Sequence, residues 1–209
     1  MTSPEVQLSP RAARTRGALL AAGFELLAER PIDAIAIDDI VARAGVAKGS
    51  FFNHFTDKAG FAAELGATVR KELELLVTAA NDGVSDPVAR LAGGMRVALE
   101  FALTERKRCI VMLRGLELST GLNHRLNQGI RADIEALSAA GFARPEAASS
   151  GVRFWLGLCQ IMQLNTIERD LSRGDAAERL REMLVLGLTG LGVPQDRALA
   201  TAEQTARQL

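Results

Sequence analysis

The chain has 209 residues, 48% of them hydrophobic and 24% charged, enough apolar material for a folded core and too much for general disorder. Twenty-five Lys and Arg balance twenty-five Asp and Glu, so no whole-molecule field draws the chain toward nucleic acid or membrane, and any such attraction must come from a local patch. Two cysteines without CxxC spacing, Cys109 and Cys159, exclude a disulfide framework, and the lack of a secretory leader or a long apolar run excludes a membrane span, so the chain reads as cytoplasmic.

Pro4 and Pro10 bracket a polar leader, and Arg11, Arg14 and Arg16 then form a basic cluster suited to an arm. Leu20, Phe24 and Leu27, at i, i+4 and i+7, predict a first helix that ends near Pro31. Ile37, Ile40, Val41 and Ala44 repeat the helical period over two turns, with Asp38 and Asp39 where carboxylates oppose the positive end of the helix dipole. Gly45 stops that helix. A further short helical segment runs from Ala47 to Phe55, and two short helices joined by a glycine turn form a helix-turn-helix.

From Asp57 the helices lengthen. Phe61, Leu65, Val69, Leu73 and Leu76 mark one face of a helix reaching about Ala80, and "NDGVSDP" breaks it. Asp86 with Pro87 predicts the start of the next. Helical segments follow at about 87–104, 106–116, 122–140, 145–171 and 175–191. No stretch alternates with period two, so the chain is predicted to be all-α: an N-terminal three-helix helix-turn-helix domain over 1–56, with the flexible arm, joined to a larger helical domain over 57–209.

In a helix-turn-helix the second helix presents its first residues to base edges in the major groove. Lys48, Gly49 and Ser50 hold that leading turn: a cation for phosphate or guanine, a glycine that lets the backbone approach, and a hydroxyl that bonds phosphate or base. Phe51 and Phe55 share one face and are predicted to be core. Phe52 and His54 fall on the other side, with Asn53 between them offering an amide suited to adenine.

The segment "IAIDDIVARAGVAKGSFFNHFTDKAGF" (35–61) resembles the DNA-binding part of the tetracycline-repressor (TetR) family of bacterial transcription regulators. The matching elements are "DIVARAGV", the "KGS" turn, the aromatic cluster ending in Phe55, and Lys58 ahead of a long helix. The resemblance implies DNA contacts from Ile37 and Asp38 at the head of the second helix and from Lys58 after the third, in addition to Lys48, Gly49, Ser50, Phe52 and His54. Two positions depart from the family pattern. Phe52 replaces a usual Tyr and loses a phenolic bond to phosphate, and Ala36 replaces a common capping Thr. Residues 1–58 also hold seven Lys and Arg against seven Asp and Glu, so the cations must be sorted onto one face, with Arg11, Arg14, Arg16, Lys48 and Lys58 as candidates.

The resemblance further implies that 57–209 binds a small-molecule effector and forms a homodimer. The apolar residues of 152–167 surround most of a helix, which therefore needs cover on more than one side. Leu180, Leu184, Gly187, Leu188 and Leu191 form a stripe that fits half of an isologous four-helix interface. Met95, Phe101, Met112, Leu116, Trp155, Cys159 and Met162 are candidates to line an apolar effector site, and each also fits an ordinary core position. Arg114, Glu117, His124, Gln160, Gln163 and Asn165 are candidate polar anchors. With no HExxH, GxSxG, Cys cluster or phosphate-cradling loop, the sequence reads as a non-enzyme without metal or cofactor. The expected function is a dimeric, ligand-responsive repressor binding a double-stranded DNA operator. The alternative is a helical dimeric sensor that acts on a protein partner.

Overall fold

A computed structural model of the chain describes residues 9–115 and 127–209. Among these residues there are ten α-helices, one short 3-10 turn and no strand, the all-α architecture that the periodicity predicts. The described residues divide into two compact units, 9–68 with 110–115 and 69–109 with 127–209. Two helices, α4 (Lys58–Ala80) and α6 (Arg106–Arg114), have residues in both.

In the first unit α1 spans Pro10–Glu29. Ser9 caps its start by accepting the Ala12 N–H at 3.3 Å, and Pro10 takes the position where a missing N–H is harmless. Pro31 bars a helical conformation at Arg30, which is extended (φ −144°, ψ 155°). The buried face of α1 is Leu19, Ala22, Gly23, Leu26 and Leu27, so the predicted stripe through Leu20 and Phe24 is corrected: both are only half-buried. Gly23 supplies the reason. A Cβ there would stand 2.2 Å from Phe61 Cζ, so α1 turns its smallest inner residue toward a phenylalanine ring.

A second close approach ties the end of α6 to α4. A Cβ on Gly66 would lie 2.9 Å from the Gly115 backbone, and one on Gly115 would lie 2.3 Å from the Ala62 carbonyl oxygen. Beside this crossing, Arg114 Nη1 donates to the Leu27 carbonyl near the end of α1 at 2.6 Å, using a side chain that the sequence offered as an effector anchor. Phe61, Leu65, Val69 and Leu73 of α4 are buried as predicted, but Leu76 is 49% exposed; the helix outruns its cover, and its last residues are mostly exposed.

The second unit adds α5 (Pro87–Thr104), α7 (Gln128–Ala139), α8 (Ala147–Arg169), α9 (Arg173–Leu191) and α10 (Gln195–Ala206). Asp86 caps α5 by accepting the Val88 N–H at 3.1 Å, with Pro87 in the first turn. One core joins Met95 and Leu99 of α5, Trp155 and Met162 of α8, Leu184 and Leu188 of α9, and Ala198 and Ala202 of α10.

One expectation is corrected here, and one element is added. The stripe Leu180, Leu184, Gly187, Leu188 and Leu191 is buried inside the subunit, where a Cβ on Gly187 would meet the Trp155 ring at 2.9 Å; it is not a free interface. The apolar residues that remain open are on other faces of the same helices: Phe154, Ile161 and Leu164 of α8 at 40%, 54% and 39% exposure, and Leu186 of α9 at 65%. The helix α10 was not predicted, because its inner face is only Ala198, Ala202 and Thr205, too weakly apolar to mark a period.

Candidate nucleic-acid interface

The helix α2 (Ile37–Ala44) begins without a side-chain acceptor at its cap. Ala36 has the extended backbone of an N-cap (φ −81°, ψ 148°), but a methyl group accepts nothing. Asp39 supplies the other half of a capping box: its Oδ2 accepts the Ala36 N–H at 3.3 Å and is also held by Arg30 Nη2 at 2.7 Å. The helix ends at Gly45, whose positive φ (67°) suits a residue without Cβ. The Val46 N–H then turns back to the Val41 carbonyl at 3.0 Å.

That turn sets the direction of α3 (Lys48–Phe52), shorter than the predicted 47–55. The helical bonding carries on past it, with the Phe55 N–H donating to the Phe51 carbonyl at 2.9 Å. Phe51 is fully buried, and Phe55 and Phe61 are nearly so. Their rings form a triangle with centroid separations of 5.5, 5.3 and 4.7 Å, edge-to-face and tilted contacts that add about 0.5–1.5 kcal/mol per pair beyond burial. Three of the eight phenylalanines thus fix a five-residue helix too short to hold itself.

The opposite side of α3 faces solvent. Lys48, Gly49 and Asn53 are exposed, Ser50 and His54 are half-buried, and Phe52 is 54% exposed. The Phe52 ring is not loose: it stands edge-on to Phe51, centroids 5.5 Å apart and planes at 82°. At the head of α2, Asp38 is exposed and Ile37 half-buried. Lys48 Nζ lies 2.9 Å from Asp38 Oδ1, so two residues assigned separately to DNA hold each other.

The remaining cations have distinct fates. Lys58 Nζ donates to the carbonyls of Ile35 at 2.8 Å and Ile32 at 3.2 Å, securing the turn ahead of α2 to the start of α4; this is a positioning role that sequence reasoning missed. Arg16 pairs with Glu64, and its guanidinium carbon sits 5.5 Å from the centre of the Phe55 ring, so it serves the aromatic cluster. Arg11 and Arg14 are exposed in the first turns of α1, Arg14 Nε reaching the Pro10 carbonyl at 3.4 Å. Gly23 also belongs to the site, since the Phe61 ring needs its space. Glycine inside an apolar helical stripe was the available signal.

The effector candidates are not all brought together. Met95, Trp155 and Met162 are packed in the core of the second unit, with half-buried Cys159 against it. Phe101 is buried in the same unit, whereas Met112 is buried in the first. Leu116, Glu117 and His124 lie outside the described residues. Gln163 is buried, its Nε2 donating to the Ala98 carbonyl at 3.0 Å. Burial pushes the thiols of Cys109 and Cys159 up to about 12, for Cys159 against the Arg70 guanidinium and with the Glu74 carboxylate, so both remain thiols at neutral pH. Among the described residues no group of three or more His, Cys, Asp or Glu is placed to hold a metal ion, and no helix is long and apolar enough to cross a membrane.

The segment that carries this geometry matches a family of known proteins. Residues 19–65 fit the profile of the bacterial regulatory proteins of the tetR family. The chain is 36% identical over 129 residues to the transcriptional regulator AcuR of Cereibacter sphaeroides, covering 56% of this chain and 59% of AcuR. It is 30% identical over 101 residues to the HTH-type transcriptional repressor BepR of Brucella suis, covering 48% of each. The chain thus spans about half the length of the curated relatives it matches. Among solved structures, RolR in complex with resorcinol superposes with a TM-score of 0.69 at 18% identity, over 93% of this chain and 95% of RolR; that likeness is one of fold.

Proposed function

We infer, from the fit of residues 19–65 to the tetR profile and the likeness to AcuR, that the chain is a tetR-family, cytoplasmic DNA-binding transcription regulator rather than an enzyme. It acts as a homodimer and represses until a small apolar effector releases it. The observation that carries this reading is the division of α3 into two faces. Phe51 anchors one face at zero exposure, while Lys48, Gly49, Phe52 and Asn53 stand in solvent on the other. Ser50 and His54 flank the exposed set, and Arg11 and Arg14 add charge at the start of α1. Lys58 is assigned to positioning rather than to a phosphate.

Dimerisation is supported by the open apolar residues of α8 and α9, with Phe154 lying over Gly190, whose added Cβ would meet the ring at 2.8 Å. A covered face there gives the two-fold partner that paired half-sites require. The effector is assigned to the second unit around Met95, Trp155, Cys159 and Met162, and a fold shared with resorcinol-bound RolR is compatible with a small organic ligand. Because α4 is one continuous helix with residues in both units, it is the natural lever. A coupling of about 1–3 kcal/mol suffices to lower operator occupancy between roughly five- and a hundredfold.

Pairing of Lys48 with Asp38 and of Arg16 with Glu64 offsets two of the cations around α3, which favours a second reading, a sensor that acts on a protein partner. Fluorescence polarisation on the promoter region beside the chain's own gene separates the two. Specific binding that falls at least tenfold in Lys48→Ala and in His54→Ala supports the repressor, a loss of about 1.4 kcal/mol or more. A dimer that ignores every duplex at low salt supports the sensor.

A further inference from the structure

The two acidic residues at the head of α2 are used differently. Asp39 belongs to the fold, accepting from the Ala36 N–H and from Arg30. Asp38 points into solvent, 68% exposed, and the partner the structure gives it is Lys48, with Nζ at 2.9 Å from Oδ1 and 3.1 Å from Oδ2. Lys48 is itself 59% exposed and opens the helix assigned to DNA. An exposed ion pair of this kind adds little to stability, so the fold does not need it. On a DNA-facing surface the same pair matters more. The carboxylate occupies donors that would otherwise meet phosphate, and it brings a negative charge up to a polyanion.

We propose that Asp38 is a specificity-determining residue: its carboxylate stands in for DNA phosphate at Lys48 and suppresses binding to duplexes of arbitrary sequence. The pair yields only where Ser50, Phe52, Asn53 and His54 find base edges that make up the difference. This rests on the assignment of α3 as a DNA reader. The local charge balance gives it weight: residues 1–58 carry seven cationic and seven acidic side chains. With Arg16 neutralised by Glu64 and Lys58, still charged, tied down to two carbonyls, Lys48 is the cation placed at the leading turn of α3. A carboxylate that instead reads a base, by accepting from a cytosine amino group, makes the opposite prediction, because its removal weakens specific binding.

The test is fluorescence polarisation of the full-length protein with a labelled random-sequence duplex across a salt series. The chains compared are wild type, Asp38→Asn, Lys48→Ala and the double variant, each checked by circular dichroism for an unchanged melting curve, with Asp38→Ser as a second exchange should Asn disturb α2. Asp38→Asn is expected to bind the random duplex about three- to tenfold more tightly and to steepen the log–log salt slope by about 0.9, the signature of one more neutralised phosphate. In the Lys48→Ala background the same exchange is expected to change the slope little. Equal affinity and slope for wild type and Asp38→Asn overturn the proposal, and so does an equal gain with or without Lys48, which reports bulk charge alone. Weaker binding of Asp38→Asn to promoter DNA with unchanged random-duplex binding also overturns it, in favour of base readout. If no chain binds any duplex at the lowest salt, the DNA-reading assignment itself fails and the proposal falls with it.

Discussion

Phe51 and Phe52 are neighbours in sequence with opposite fates: one is sealed under α3, the other is more than half exposed and braced edge-on against the first. The seal depends on a residue with no side chain. A Cβ on Gly23 would stand 2.2 and 2.4 Å from two atoms of the Phe61 ring, and that ring touches both Phe51 and Phe55. Gly23→Ala is therefore expected to destabilise the protein by about 1–3 kcal/mol through overpacking, although alanine is the better helix former. Urea denaturation measures this, and DNA affinity should fall along with stability because the displaced ring supports α3. An unchanged or raised midpoint would show that the ring simply moves aside. The sequence revealed Phe51 and Phe55 as core from their spacing alone. It could not reveal Lys58 turned onto two carbonyls or Arg114 onto a third, because long cationic side chains choose partners that only the fold brings near.

Helices announced themselves in proportion to the contrast along them. Asp86 and Pro87 marked the start of α5, and Gly45 the end of α2, since caps and left-handed glycines are local effects written in adjacent residues. The helix α10 left no such mark, with alanines in place of large apolar residues at its buried positions. Contrast also failed on α9, where a leucine stripe says that a face is buried but not by what: Trp155 of the same chain covers it. Where local chemistry is incomplete, it can be completed. Ala36 has the backbone of an N-cap without the acceptor, and Ala36→Ser supplies it. The expected gain is about 1 kcal/mol, read as a raised denaturation midpoint with no change in random-duplex affinity. A lowered midpoint would mean that Asp39 already does all the capping that this end of α2 allows.

At the scale of the whole molecule the all-helical class was legible from period and punctuation, whereas the proposed self-association was legible only as a need. Balanced net charge, 25 against 25, required the reading surface to be local, and the exposed set on α3 is small. The second requirement, a partner, is proposed to be met at the apolar residues exposed on α8 and α9. Ile161→Arg with Leu186→Arg places two cations on residues now 54% and 65% exposed. The pair is expected to leave the subunit folded and to yield monomers in sedimentation velocity, with DNA affinity reduced at least tenfold. A double variant that stays dimeric would move the interface elsewhere. Effector assignment lies at the same scale and was the least legible part, because a methionine or tryptophan that lines a cavity and one that fills a core look alike in sequence.

The central claim is that two copies of α3 enter successive major grooves of one operator, and hydroxyl-radical footprinting on the promoter region beside the chain's own gene tests it most directly. The account predicts two protected patches related by a dyad, with centres about 34–36 Å apart along the duplex or a whole number of turns more, both absent with Lys48→Ala. Protection confined to a single patch, protection that survives Lys48→Ala undiminished, or none at the lowest salt would contradict it.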